Sequence, residues 1–224
     1  GEILERCEYL VEAVEAVFAG DMEDDGFNRL LLAAALPWTD VDLVRAYFGY
    51  ARQIGLHFKP VYIQEILLGN PELVRRIVEL FYARFEPSEN GSRRKLVDSA
   101  TDAVKDGLRE VQDHDEDMIL RRLFELVSAT TRTNFFRRDR PEHYVSLKFD
   151  HDLISSLPTP RLKYEIYVHH AEMEGVHLRG GLVARGGIRW SDRDDFRTEI
   201  LGLVNTQMVK NVLIVPVGAK GGFF

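Results

Sequence analysis

A change of hydrophobic period near residue 140 limits this chain more than any other feature of its sequence. Before it, apolar residues recur at steps of three and four, the repeat of helices that bury one stripe. After it they alternate at a step of two, as in half-buried strands. Such a chain is mainly α followed by α/β. Its 224 residues suffice for one large or two small cores. The change of period divides them into a helical domain, 1–140, and a region with a mixed sheet and a helix on one face, 141–224.

The first helix is read from Ile3, Cys7, Leu10, Val14 and Val17, with Leu4, Val11 and Phe18 beside them on one buried stripe, and Gly20 ends it. A second spans 25–35 and stops before Pro37. A third starts at Thr39, where a Thr-x-x-Asp arrangement with Asp42 can satisfy early backbone N–H groups, and runs to Ile54 with Gly55 as its cap. Pro60 opens a fourth helix that ends at Gly69. Asn70-Pro71 opens a fifth, since asparagine caps and proline tolerates the first helical position; it runs to Phe85. EPSENGSRR, 86–94, forms a turn or linker, and helices over 95–111 and 115–134 complete this half.

In the second half, YVSLKF (144–149) and YEIYVH (164–169) read as strands separated by Leu157-Pro158-Thr159-Pro160. The glycine pairs 180–181 and 186–187 interrupt the extended pattern of GVHLRGGLVARGGIRW and permit a close approach. A helix over 192–210 carries Phe196, Ile200, Leu203, Val204 and Met208 at the spacing for packing on a sheet. A buried strand over 212–217 then delivers the chain to Lys220, in the stretch VGAKGGFF.

Composition narrows the partners. A formal net charge of -7 argues against nucleic acid. The single cysteine, Cys7, forms no internal disulfide and offers no metal cluster, which points to an intracellular setting. Apolar runs are short and broken by charge, so no membrane span is expected, and without a targeting signal the cytoplasm is the expected location.

Residues 176–224 carry seven basic residues against four acidic ones, and the excess falls where the glycines are. Gln207 and Lys210 share one face of the predicted helix, and an amide with an ammonium suits a carboxylate. Arg185 adds a guanidinium able to pair with a second carboxylate, and Gly186-Gly187 would leave the backbone open to a ligand. Together they describe a site for a small dianion. Competing readings assign Lys210 to the helix dipole and Arg189, Arg193 and Arg197 to surface pairs with Asp192, Asp194, Asp195 and Glu199. Trp190 is read as a packing residue. His169, His170 and Glu172 do not read as a metal site, because neighbouring strand residues point to opposite faces. Gly218-Ala219-Lys220-Gly221-Gly222 resembles a phosphate loop but lacks the following Ser or Thr.

ARGGIRWSDR (184–193), DFRTEILGLVNTQMVKNVLIVPVGAKGGFF (195–224) and EGVHLRGG (174–181) are similar to the large, NAD-specific class of glutamate dehydrogenase. The helical part resembles it too, in ARQIGLHFKPVYIQEILLGNPELVRRIVELFYARFEP (51–87), RRLFELVSATTRTNFF (121–136) and YVSLKFD (144–150).

The resemblance implies oxidative deamination of L-glutamate to 2-oxoglutarate and ammonia, with hydride transfer to NAD, by a cytoplasmic enzyme that is a homo-oligomer at full length. It implies that Lys220 is the catalytic lysine, that Gln207 and Lys210 hold the α-carboxylate, and that Arg185, before Gly186 and Gly187, stands where smaller glutamate dehydrogenases use a lysine for the distal carboxylate. Neighbouring cations and exclusion of water favour the neutral form of such a catalytic lysine, which can then shuttle protons. No Gly-x-Gly-x-x-Gly occurs in the sequence, and the family's second acid–base residue, an aspartate, is expected beyond Phe224. The chain is therefore expected to be a fragment, with part of the substrate-binding domain and without the nucleotide-binding Rossmann domain, and to be inactive alone. Two alternatives stand beside this: a helical regulatory or interaction module, and an unrelated phosphate-binding protein using the Gly-Ala-Lys-Gly-Gly segment.

Overall fold

The computed structural model describes residues 2–87, 93–137, 142–157, 161–210 and 215–224. Helices come first: α1 (Glu2–Ala19), a 3-10 turn (Gly26–Arg29), α2 (Leu30–Ala33), α3 (Trp38–Gln53), α4 (Pro60–Gly69), α5 (Pro71–Phe85), α6 (Arg93–Glu110) and α7 (His114–Ala129). Gly20 and Gly55 take positive φ, 81° and 97°, just past α1 and α3, where a side chain would be strained. The proline starts of α4 and α5 lie where the sequence puts them. Among the described residues, no helix is long and apolar enough to cross a membrane.

Local expectations fail where tertiary contacts compete for the same side chains. The stretch 25–35 is a 3-10 turn capped by the Asp25 carboxylate, followed by a single turn of α-helix. Pro37, not Thr39, precedes α3; its carbonyl accepts the Asp40 and Val41 N–H groups, while Asp42 turns into the core. Asn70 does not cap α5 with its side chain, because its amide donates to the Ile66 carbonyl and to Glu116 of α7. The predicted stripe of α1 also faces the wrong way: Leu10, Val11, Val14 and Phe18 are exposed, and Ala13 and Ala16 are buried. Small residues on that face let α1 lie close to α2 and α3.

The sheet comprises β1 (Thr130–Thr133), β2 (Val145–Asp150), β3 (Tyr164–His170), β4 (Met173–Arg179), β5 (Ala184–Arg185), β6 (Ile188–Trp190) and β7 (Val217–Phe223), with α8 (Phe196–Lys210) between β6 and β7. Its order is β1-β2-β3-β4-β7-β5, with β6 also paired to β7. Pairings are antiparallel from β1 to β7; β5 and β6 run parallel to β7, so the sheet is mixed. β1 replaces the end of the helix expected over 115–134, since the β-branched run TTRT pairs with β2 instead. Of the strand expected over 212–217, residues 212–214 lie outside the described residues, as do 138–141 and 158–160 of the other connections and 88–92 of the linker. The described strand begins at Val217 and contains Lys220, so the glycine-rich segment is not a loop.

One face of this sheet is covered by α3 and α8. Val145, Leu147 and Phe149 of β2 point toward them, as alternation predicts. In β3 the buried set is Glu165, Tyr167 and His169, so the polar members of the alternation face inward. Tyr50 of α3 stacks on Phe149 with ring centroids 4.2 Å apart. The helical and sheet parts share one apolar core.

Candidate functional site

β7 is the strand on which the predicted site residues converge. β4 flanks it on one side, β5 and β6 on the other. Gly218, Lys220 and Gly222 alternate onto the face covered by α8. A Cβ on Gly222 would lie 2.5 Å from Ile200 Cδ1, and one on Gly218 would lie 3.2 Å from Gln207 Cβ. The two glycines let the helix rest on the strand, and Lys220 is the side chain left between them. Lys220 is half-buried, pairs with Leu178 of β4, and places Nζ 3.9 Å from where a Gly187 Cβ would be. Gly187 accepts the Gly221 N–H at 3.0 Å, which fixes this opening beside the ammonium.

The remaining predicted residues are brought together in part. Gln207 donates from Nε2 to the Arg185 carbonyl at 3.1 Å, which ties α8 to β5; its Oε1 is buried with no partner among the described residues. The Arg185 side chain is exposed, at the position paired with Gly218. Gly186 is packed against the backbone of Ala219, so the space its missing side chain leaves is already filled by β7. Lys210 ends α8 exposed, one turn beyond Gln207 on the same helix face, with no contact that joins it to Lys220. The backbone of β7 engages in strand pairing on both edges, which is not the geometry of a phosphate-cradling loop.

Arg197 departs from its expected surface role. It is 5% exposed, and its guanidinium grips Glu165 of β3 through two hydrogen bonds, Nε to Oε1 at 2.6 Å and Nη2 to Oε2 at 2.8 Å. His151 adds a 2.6 Å contact from Nε2 to Glu165 Oε2. Burial alone would raise the Glu165 carboxyl, but Arg197 and His151 outweigh it and hold it well below the usual carboxylate range. The sequence signal was the inward alternation of Glu165 with Tyr167 and His169. It went unread because an arginine among Asp192, Asp194 and Asp195 looks like a surface residue. Arg189 and Arg193 do form the expected pairs, with Glu199 at 3.0 Å and Asp195 at 2.7 Å. Trp190 is 70% exposed and tilts against Phe223 at 5.6 Å between centroids.

A second buried charge cluster joins α3 to the sheet. Asp42 accepts from Arg45 at 2.8 Å and contacts His143 Nε2 at 2.8 Å and His169 Nε2 at 3.0 Å. His169 is thus engaged by a carboxylate. Among the described residues no group of three or more His, Cys, Asp or Glu side chains is placed to hold a metal ion. On the sheet face opposite Lys220, His177 lies beside Gly221, and burial followed by the Arg179 charge pushes its imidazole down.

What this geometry offers is a half-buried lysine beside a bare glycine, a helix amide over Gly218, two residues back along the strand, and exposed cations at Arg185 and Lys210. An anionic substrate with a reactive centre near Lys220 Nζ suits that arrangement. Comparison with known proteins gives the family. Residues 103–224 match the family model described as bacterial NAD-glutamate dehydrogenase, catalytic domain, and residues 22–87 match that described as glutamate dehydrogenase, helical motif 3. The NAD-specific glutamate dehydrogenase of Pseudomonas aeruginosa is 49% identical over 99% of this chain, and that of Mycobacterium tuberculosis 49% over 95%. The protein of the same name from Halomonas elongata is 45% identical over 95%. The chain spans 14%, 13% and 13% of the lengths of these three relatives.

Proposed function

The chain belongs to the bacterial NAD-glutamate dehydrogenase family, and on that premise we propose that it supplies the glutamate-holding half of a site for NAD-dependent oxidative deamination. The full-length protein would convert L-glutamate, NAD and water to 2-oxoglutarate, ammonium, NADH and a proton. Lys220 is the catalytic lysine. Its amine holds and moves a proton at the water that attacks the α-carbon of the imino acid, and again at the departing amino group. Gln207 and Lys210 hold the α-carboxylate and Arg185 the distal one, which sets the α-carbon at Lys220. The observation that carries this reading is the placement of Lys220 Nζ 3.9 Å from where a Gly187 Cβ would be, with no other atom within 4 Å of that point beyond the glycine and its chain neighbours.

NAD supplies the hydride acceptor. These residues would meet only its reactive end, since Gly187 presents no side chain beside Lys220 and the sequence has no Gly-x-Gly-x-x-Gly turn. Residues 141–224 then form a portion of the substrate-binding domain, and 1–140 the helical support beneath it. The 224 residues alone are expected to form no NADH from glutamate and NAD. We place the full-length protein in the cytoplasm as a homo-oligomer, and the absence of nucleic-acid partners accords with the net charge of -7.

The deciding experiment is Lys220→Ala in the full-length protein. Turnover should fall by roughly a thousandfold or more, as for loss of a proton-transfer group and its electrostatics together, while NAD binding followed by fluorescence is retained. Turnover near the wild-type rate would remove Lys220 from the chemistry.

A further inference from the structure

We propose that Glu165 and Arg197 are positioning residues of the substrate site: their buried ion pair sets the tilt and rotation of α8, and thereby where Gln207 and Lys210 stand relative to Lys220. The inference rests on the assignment of those three residues given above.

α8 is anchored at both ends. At its start, Arg197 forks onto Glu165, and Gln53 at the end of α3 donates to the Asp194 carbonyl at 2.7 Å while its Oε1 accepts the Arg197 N–H at 3.3 Å. Near its other end, about 15 Å away at the helical rise, Gln207 holds the Arg185 carbonyl. The helix is thus set as a rigid bar between β3 and β5. Glu165, Leu178 and Lys220 lie opposite one another across β3, β4 and β7, so the anchor and the lysine share one sheet row. They stand about 10 Å apart at the usual strand spacing.

Charge is a costly way to hold a helix down, because removing both ions from water offsets most of their attraction and apolar residues would serve stability as well. What a carboxylate and a guanidinium add is direction: two parallel hydrogen bonds fix the approach of Arg197 in a plane. That plane is itself held. His151 Nδ1 accepts the Leu162 N–H at 3.3 Å, which leaves the proton on Nε2, and Nε2 therefore donates to Glu165 Oε2. The His151 carbonyl is in turn bonded by Arg161 at 2.6 Å. Glu165 is fully buried and cannot swing away.

The test uses the full-length protein with Arg197→Lys, which keeps the charge and loses the fork, Arg197→Met, which loses both, and Gln53→Ala, a milder change at the half-buried α3 end. Steady-state kinetics are normalised to folded protein. Positioning predicts that kcat/KM for glutamate falls roughly tenfold to a hundredfold in Arg197→Met, as misplacement by about an ångström does. Arg197→Lys should recover part of the loss, Gln53→Ala should move in the same direction, and KM for NAD should stay unchanged. Lower thermal stability with unaltered glutamate kinetics in all three variants would overturn the inference and leave the pair a structural one. If Lys220→Ala retains turnover, the underlying site assignment fails instead, so the two failures are told apart.

Discussion

Gly186 and Ala219 are packed so closely that a Cβ on the glycine would be driven into the carbonyl oxygen of the alanine. The neighbour is strand backbone, which cannot rotate aside. Gly186→Ala should therefore push β5 away from β7, remove the Arg185 carbonyl from Gln207, and cost about 1–3 kcal/mol by overpacking. Gly187→Ala is the matched control, because its Cβ would meet Lys220 Nζ at 3.9 Å, an ordinary contact, and its stability should stay within about 0.5 kcal/mol of the parent. Urea unfolding of the two variants measures both, and equal midpoints would contradict the packing account.

Asp42 links stability to pH. Burial would raise its carboxyl, but hydrogen bonds from His143 and His169 and the charge of Arg45 outweigh burial and hold it well below its ordinary value of 3.8. Protons therefore bind the unfolded chain more readily than the folded one, so the contribution is complete above that ordinary value and is lost as pH falls below it. Asp42→Asn should cost about 3 kcal/mol at neutral pH by taking one of its two carboxylate partners from the buried Arg45 and the acceptor from His143 and His169. The gap from the parent should narrow progressively as pH falls below about 4. Chemical unfolding at several pH values checks this, and a gap independent of pH would count against the ion-pair origin.

Most helices were legible in the sequence because their starts and stops are local: Pro60 and Pro71 open α4 and α5, and Gly20 and Gly55 close α1 and α3. The site was legible only as a set of residue types. Lys220 was expected after a strand, since glycine and alanine disfavour extended structure, yet pairing with β4 on one edge and β6 on the other makes VGAKGGF the strand itself. Arg197, Glu165, Asp42 and His169 were missed for one reason. Each is a charged or titratable side chain whose burial depends on a partner 32 to 127 residues away, and no local period carries that information. The inward face of α1 was misread likewise, because the size of its alanines matters to α3 and not to the helix itself.

Tyr47 of α3 and Thr130 of β1 allow the junction between helices and sheet to be weighed directly. Their hydroxyls lie 2.9 Å apart and buried, and Thr130 Oγ1 donates to the Leu126 carbonyl at 2.8 Å. Since a hydroxyl carries a single proton, Tyr47 must donate to Thr130. Thr130→Val would leave the Tyr47 O–H buried without an acceptor, at a cost of about 1–3 kcal/mol. Tyr47→Phe removes the donor but leaves Thr130 bonded to Leu126, so it should cost less. The double variant leaves no unpaired hydroxyl and should be more stable than the sum of the single losses by roughly 1 kcal/mol. Unfolding measurements on the four proteins of the cycle give that coupling, and strict additivity would show that the two hydroxyls do not depend on each other.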